Sequence, residues 1–118
     1  MTQYEAARCE YRKACQAHRE SRDTAHSLRL ALNMLEARPW LMVNAEGDPQ
    51  INGKNAEIRD AQLVKILNHD PEVSETRTNL ENAKRAQEAA ETDERIARYD
   101  LMIERERLIA ELKQGELA

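Results

Sequence analysis

The first 38 residues contain neither glycine nor proline, and their apolar side chains recur in alternating steps of three and four. Stepping in this way from Tyr4 gives Tyr4, Ala7, Tyr11, Ala14, His18, Ser21, Ala25, Leu28, Leu32 and Leu35, with His18 and Ser21 the two polar members. A heptad sustained this long makes a helix whose narrow seam must be covered by a partner helix. Thr2-Gln3-Tyr4-Glu5 reads as a capping box, in which a hydroxyl and a carboxylate three residues later satisfy the free backbone N–H groups. Pro39 disfavours helical geometry at Arg38, so the helix is expected over residues 2–37. That is about 54 Å at the rise of an α-helix.

Such a seam also fixes what the chain can bury. Alanine accounts for seventeen residues, Leu, Ile and Val together for 21, and Phe is absent. That supply suits a thin helix–helix interface and cannot fill the core of an α/β enzyme of ordinary size. The shortage of aromatic and turn residues excludes a β-sandwich or barrel. Charged residues reach 34 % yet interleave in sign to a net charge of −4, which argues against disorder. No apolar run is long enough to span a bilayer. The N-terminus has no basic and apolar succession of the signal-peptide kind, and a cytoplasmic location is expected. Cys9 and Cys15 are six apart and face different sides of a helix, so reduced thiols are expected.

Residues 38–54 form a connection. Pro39-Trp40-Leu41-Met42-Val43 is a short apolar run, with Trp40 expected to plug the end of the helical core. Glu46-Gly47-Asp48-Pro49 is a turn signal, and a short extended segment or small hairpin fits this stretch. Asn55 is a good N-cap for a short helix over 55–68, whose Ala56, Leu63, Val64, Ile66 and Leu67 share a broad arc. Asp70-Pro71 then opens a last helix over 71–114, supported by spacing-four pairs Glu81–Arg85, Glu91–Arg95 and Glu94–Arg98.

The expected fold is therefore all-α: one helical domain, a long antiparallel hairpin with a short third helix in its connection. Matching the ends sets Leu35 against Val73, Leu28 against Leu80, Ala25 against Ala83, His18 against Ala90 and Ala14 against Glu94. The far end of the last helix carries more apolar surface than one facing helix can cover. Tyr4, Tyr11, Ile96, Tyr99, Met102, Ile103, Leu108, Ile109 and Leu112 are thus expected at a homodimer interface, with two hairpins making a four-helix arrangement around a twofold axis.

Little in the sequence carries chemistry. Cys15 and His18 could chelate from one face, but no further metal ligands stand at suitable spacing. Acidic neighbours such as Glu104 and Glu106 belong to a solvated helix face and do not converge. There is no phosphate loop and no nucleophile elbow. An enzyme is not expected, nor a metal or cofactor. The string Ile51-Asn52-Gly53-Lys54-Asn55-Ala56-Glu57-Ile58-Arg59 is the most distinctive. Lys54, Asn55 and Arg59 at a helix N-terminus suit an anion or acidic-partner contact. The favoured reading is structural, with Lys54 and Arg59 paired to carboxylates such as Glu36 or Glu57.

The Gly53-Lys54-Asn55-Ala56-Glu57-Ile58-Arg59 turn, followed by Leu63 and Asp70-Pro71-Glu72 between two Ala/Glu/Arg-rich helices, resembles small coiled-coil proteins of tailed phages and prophages. The resemblance implies a phage-encoded protein acting in the host cytoplasm, and it carries no catalytic residues.

Two functions compete. The first is a non-enzymatic helical module that binds a protein, of host or phage, and also itself. The second is an accessory protein of replication or recombination that binds nucleic acid through Arg8, Arg12, Arg19 and Arg22, which wind along helix one as a stripe. A DNA mimic is disfavoured, because the twelve acidic residues after residue 70 are interspersed with eight basic ones.

Overall fold

The computed structural model describes residues 2–43 and 47–117. Among them are three helices: α1 (Gln3–Leu41), α2 (Ala56–Asn68) and α3 (Pro71–Leu117). The chain divides into two compact units. One combines Met1–Asp23 with Lys84–Ala118, so it is built from the start of α1 and most of α3. The other is the continuous stretch Thr24–Ala83. We call them the terminal unit and the central unit.

Each helix start is chemically defined. The Thr2 backbone N–H donates to Glu5 Oε2 at 3.0 Å and the Glu5 N–H to Thr2 Oγ1 at 3.1 Å, a complete capping box. Asn55 Oδ1 accepts from the Ile58 N–H at 2.9 Å to cap α2. Asp70 Oδ1 accepts from the Glu72 N–H at 3.0 Å, with Pro71 as the first residue of α3.

The ends differ from expectation. α1 runs through Pro39 to Leu41, not to residue 37. Proline lacks the N–H that would bond the carbonyl four residues back, but near a C-terminus this costs one bond in a turn that ends anyway. Pro39 is also buried, which favours keeping it on the helix. Likewise α3 passes through Gly115 to Leu117.

In the central unit, the ends of α1 and α3 run antiparallel. Arg38 Nη2 donates to Asp70 Oδ2 at 2.7 Å and Nη1 to Glu72 Oε2 at 3.1 Å, while Glu36 meets Arg77 at 3.9 Å. Burial pushes the Asp70 carboxyl up, but the bonds from Arg38 and from backbone N–H groups outweigh it and hold Asp70 below its usual value. The core holds Ala25, Ile51, Leu67, Leu80 and Ala83 around Val73, which is fully buried. Trp40 does not plug this core: it is 46 % exposed, and Ile51 from the connection is buried instead. Pro39, the neighbour of Trp40, takes the inward position on the last turn of α1. The apolar arc of α2 is also narrower than expected. Leu67 is buried and Leu63 and Ile66 are half-buried, but Ala56 and Val64 face outward.

The connection has no strand among the described residues. It closes through one antiparallel bridge between Val43 and Pro49, with the Gln50 N–H on the Met42 carbonyl at 3.0 Å. Gly47 takes a left-handed φ of 87°, as the turn signal requires, while Glu46 lies outside the described residues.

Candidate functional site

The terminal unit pairs residues 3–23 of α1 with the later part of α3. The heptad positions Tyr4, Ala7, Tyr11, Ala14, His18 and Ser21 are all half-buried, as are Ala90, Glu94, Ala97, Leu101, Glu104 and Leu108 opposite. Glu94 bonds Cys15, the neighbour of Ala14 opposite which it was expected, and also reaches His18 about one turn on. Alanine pairs hold two helices together without specifying how they slide. The carboxylate finds the two hydrogen-bond donors within its reach, and these set the register.

Glu94 Oε1 accepts from Cys15 Sγ at 3.6 Å, and Oε2 is hydrogen-bonded to His18 Nδ1. The bond from His18 is the main reason that the Glu94 carboxyl lies below its usual value, with burial opposing and Cys15 assisting. Tyr11 completes the cluster. Its hydrogen bond with Cys15 is the main cause that raises the phenol above 10.0, and the Glu94 charge adds to it. The carboxylate stands between the thiol and the imidazole, which is not the order in which a nucleophile is activated by a base. Among the described residues no three His, Cys, Asp or Glu side chains converge to hold a metal.

Beside the seam lies an open groove of about 880 Å³. Ala6, Ala7, Ala14, Ala17 and Ala97 make its floor and walls, and Ile96 and Ile103 project into it. Both isoleucines stay about half exposed, at 56 % and 48 %. Its rim carries Asp93 and Asp100, seven residues apart, with Glu10 bonded to Lys13 and Glu104 to Arg107.

The opposite flank is rich in arginine, with Glu20 and Asp23 lining it too, and we call it the basic flank. Arg12 and Arg19 line a shallow depression with Tyr11 and Cys15, and Arg98 of α3 is close enough to act on Tyr11 and Glu94. Arg8 and Arg22 follow on this side of α1 at helical spacing, and Met102, Arg105 and Ile109 on this side of α3. The arginine stripe read from helix one is therefore extended by arginines of α3.

The residues expected at a dimer interface are distributed around α3. Ile96 and Ile103 belong to the groove. Met102 and Ile109 stand on the basic flank, and Tyr99, 62 % exposed, points away from the seam. Leu108 is half-buried in the seam, as are Tyr4 and Tyr11, while Leu112 is exposed.

In the central unit, Lys54 and Arg59 are not paired to Glu36 or Glu57. Among the described residues neither forms an ion pair, and Glu36 engages Arg77. The connection is locked by Gln62. Its Oε1 accepts from the Asn52 N–H at 3.1 Å and the Gly53 N–H at 2.9 Å, and its Nε2 donates to Asn52 Oδ1 at 2.9 Å. A neutral amide satisfies both donors and acceptor, which a charged side chain could not do. Gln62 stands on the face of α2 next to Leu63 and Ile66, and that placement was the available signal. Asn55 is used as the N-cap.

Comparison with protein-family profiles, curated proteins and solved structures gives no match to this chain. Among the described residues no helix is long and apolar enough to cross a membrane.

Proposed function

We propose that this protein is a non-enzymatic helical interaction module that associates with itself, the smallest assembly being a four-helix arrangement of two copies. One observation carries the reading. Ile96 and Ile103 of α3 stand about half exposed together in the alanine-floored groove. Large apolar side chains gathered in this way are normally covered by a partner. Two seven-residue intervals, Ile96–Ile103 and Met102–Ile109, also repeat at the spacing that helical partners engage. The resemblance to phage helical proteins suggests a host or phage protein as a further partner, in the cytoplasm.

Light scattering at tens of micromolar tests self-association. The expected mass exceeds that of one chain, and Ile103→Glu, an exposed position, reduces it. A single-chain mass at every concentration would refute the reading.

A second reading is favoured by the basic flank, where Arg8, Arg12, Arg19 and Arg22 are extended by Arg98 and Arg105. In that reading the flank binds nucleic acid through phosphate contacts. Titration of DNA and RNA at two salt concentrations discriminates, since phosphate binding falls steeply with salt. No binding at low salt would exclude it.

A further inference from the structure

The two flanks of the terminal unit carry opposite charge at the same interval. Asp93 and Asp100 rim the alanine groove on one side, and Arg98 and Arg105 stand on the other. Each pair is seven residues apart, about 10.5 Å along a helix. Among the described residues none of these four forms a direct ion pair, Arg98 acting on Glu94 only through space, whereas the other rim charges are already matched within the chain, Glu10 to Lys13 and Glu104 to Arg107.

The apolar shapes are matched too. The groove is floored by alanines and offers depth, and it leaves Ile96 and Ile103 about half exposed. The basic flank offers knobs, because Met102 and Ile109 are also seven apart and stand between and beside the two arginines. A groove pressed onto the same groove of a second copy would set its mainly acidic rim against an identical one and leave Arg98 and Arg105 unused. Like charges in contact disfavour that arrangement.

We propose that the terminal unit binds a second copy head to tail: the Arg98–Met102–Arg105–Ile109 ridge of one copy lies in the groove of the next, with its arginines on Asp93 and Asp100. This rests on the self-association proposed above and names its surfaces. A pair so joined still has one free groove, on one copy, and one free ridge, on the other. A heterologous contact of this type closes into a ring or continues as a filament, according to the rotation between copies.

Charge reversal tests the pairing. Two double variants are made, Asp93→Arg with Asp100→Arg and Arg98→Glu with Arg105→Glu. All four positions are exposed, so helicity by circular dichroism is expected to match that of the unaltered chain. Sedimentation velocity in about 50 mM salt is run on each alone and on an equimolar mixture, since low salt preserves the charge contacts. Each variant alone should associate at least about tenfold more weakly than the unaltered chain. The mixture should recover assembly, because acidic ridges then meet basic grooves and basic ridges meet acidic ones. If the unaltered chain assembles but reversing Arg98 and Arg105 has no effect, or if mixing restores nothing, the head-to-tail pairing is wrong while self-association stands. If the unaltered chain remains a monomer at every concentration, both proposals fall.

Discussion

His18 of α1 and Glu94 of α3 are hydrogen-bonded across the seam of the terminal unit, with the Cys15 thiol on the other oxygen of the same carboxylate. In the central unit Asp70 is held in an analogous way by Arg38. Both carboxyls lie below their usual values of 4.5 and 3.8. A carboxyl lowered by folding contributes stability that is fully present above its unfolded value and is lost as pH falls through the lowered one. Melting temperature measured from pH 7 downward should therefore hold until the acid range and then decline. Glu94→Gln and Asp70→Asn should each flatten that decline while lowering the plateau. An acid limb unchanged in both variants would show that these contacts do not carry it.

Burial separates two large side chains of the central unit. Leu80 is 6 % exposed, whereas Trp40 is about half exposed. Leu80→Ala should cost about 2–5 kcal/mol in denaturant unfolding, the range for a truncated core leucine. Trp40→Ala should cost far less than the ~3–5 kcal/mol of a buried tryptophan. Equal losses would mean that Trp40 is covered in solution.

The turn before α2 requires glycine at 53. A Cβ there would stand 2.5 Å from Ile58 Cγ2, 2.9 Å from Ile58 Cβ and 3.0 Å from the Arg59 backbone nitrogen. A branched side chain anchored on its own helix and a backbone atom cannot step aside, so Gly53→Ala should destabilise by about 1–3 kcal/mol. Gly115 meets nothing within 4 Å, and Gly115→Ala should be neutral or stabilise α3 by up to about 1 kcal/mol. Thermal unfolding of the two variants gives the comparison directly.

Gln62 and Asn55 hold the same segment by different means. Asn55→Ala removes the cap of α2 and should cost about 1 kcal/mol. Gln62→Ala removes three hydrogen bonds to Asn52 and Gly53. Its signature should be local, with faster amide exchange at Asn52 and Gly53 and little change in the protection of α3. Exchange that is unaltered at those two amides would refute the clamp.

The seam of α1 was legible residue by residue. Every heptad position from Tyr4 to Leu35 is half-buried or buried, because the spacing of apolar side chains directly records which face must leave water. The caps at Thr2, Asn55 and Asp70 were legible for a similar reason, since each acts within three residues of chain. The slide between helices was legible only to within a residue or so. Alanines leave it open, and the deciding contact joins His18 to Glu94 across a long stretch of sequence. Trp40 misled through its size, since Ile51 does the same work from the connection. The candidate surface was half visible. The apolar residues of α3 were evident, but only the partner helix shows which of them line a groove. The opposed Asp93/Asp100 and Arg98/Arg105 repeats were present as spacing and gained meaning once the two flanks were separated.

The division of the chain has a consequence for the order in which it folds. The central unit is the continuous stretch Thr24–Ala83, whereas the terminal unit joins Met1–Asp23 to Lys84–Ala118. During synthesis the central unit is complete as soon as Ala83 has left the ribosome. Residues 3–23 must wait for a part of α3 that does not yet exist, with the seam of Tyr4, Ala7 and Tyr11 uncovered. Contacts within the continuous stretch also close shorter loops, at lower entropic cost. Vectorial synthesis thus favours nucleation within the continuous stretch, and the early part of α1 is the segment most in need of protection from neighbouring chains.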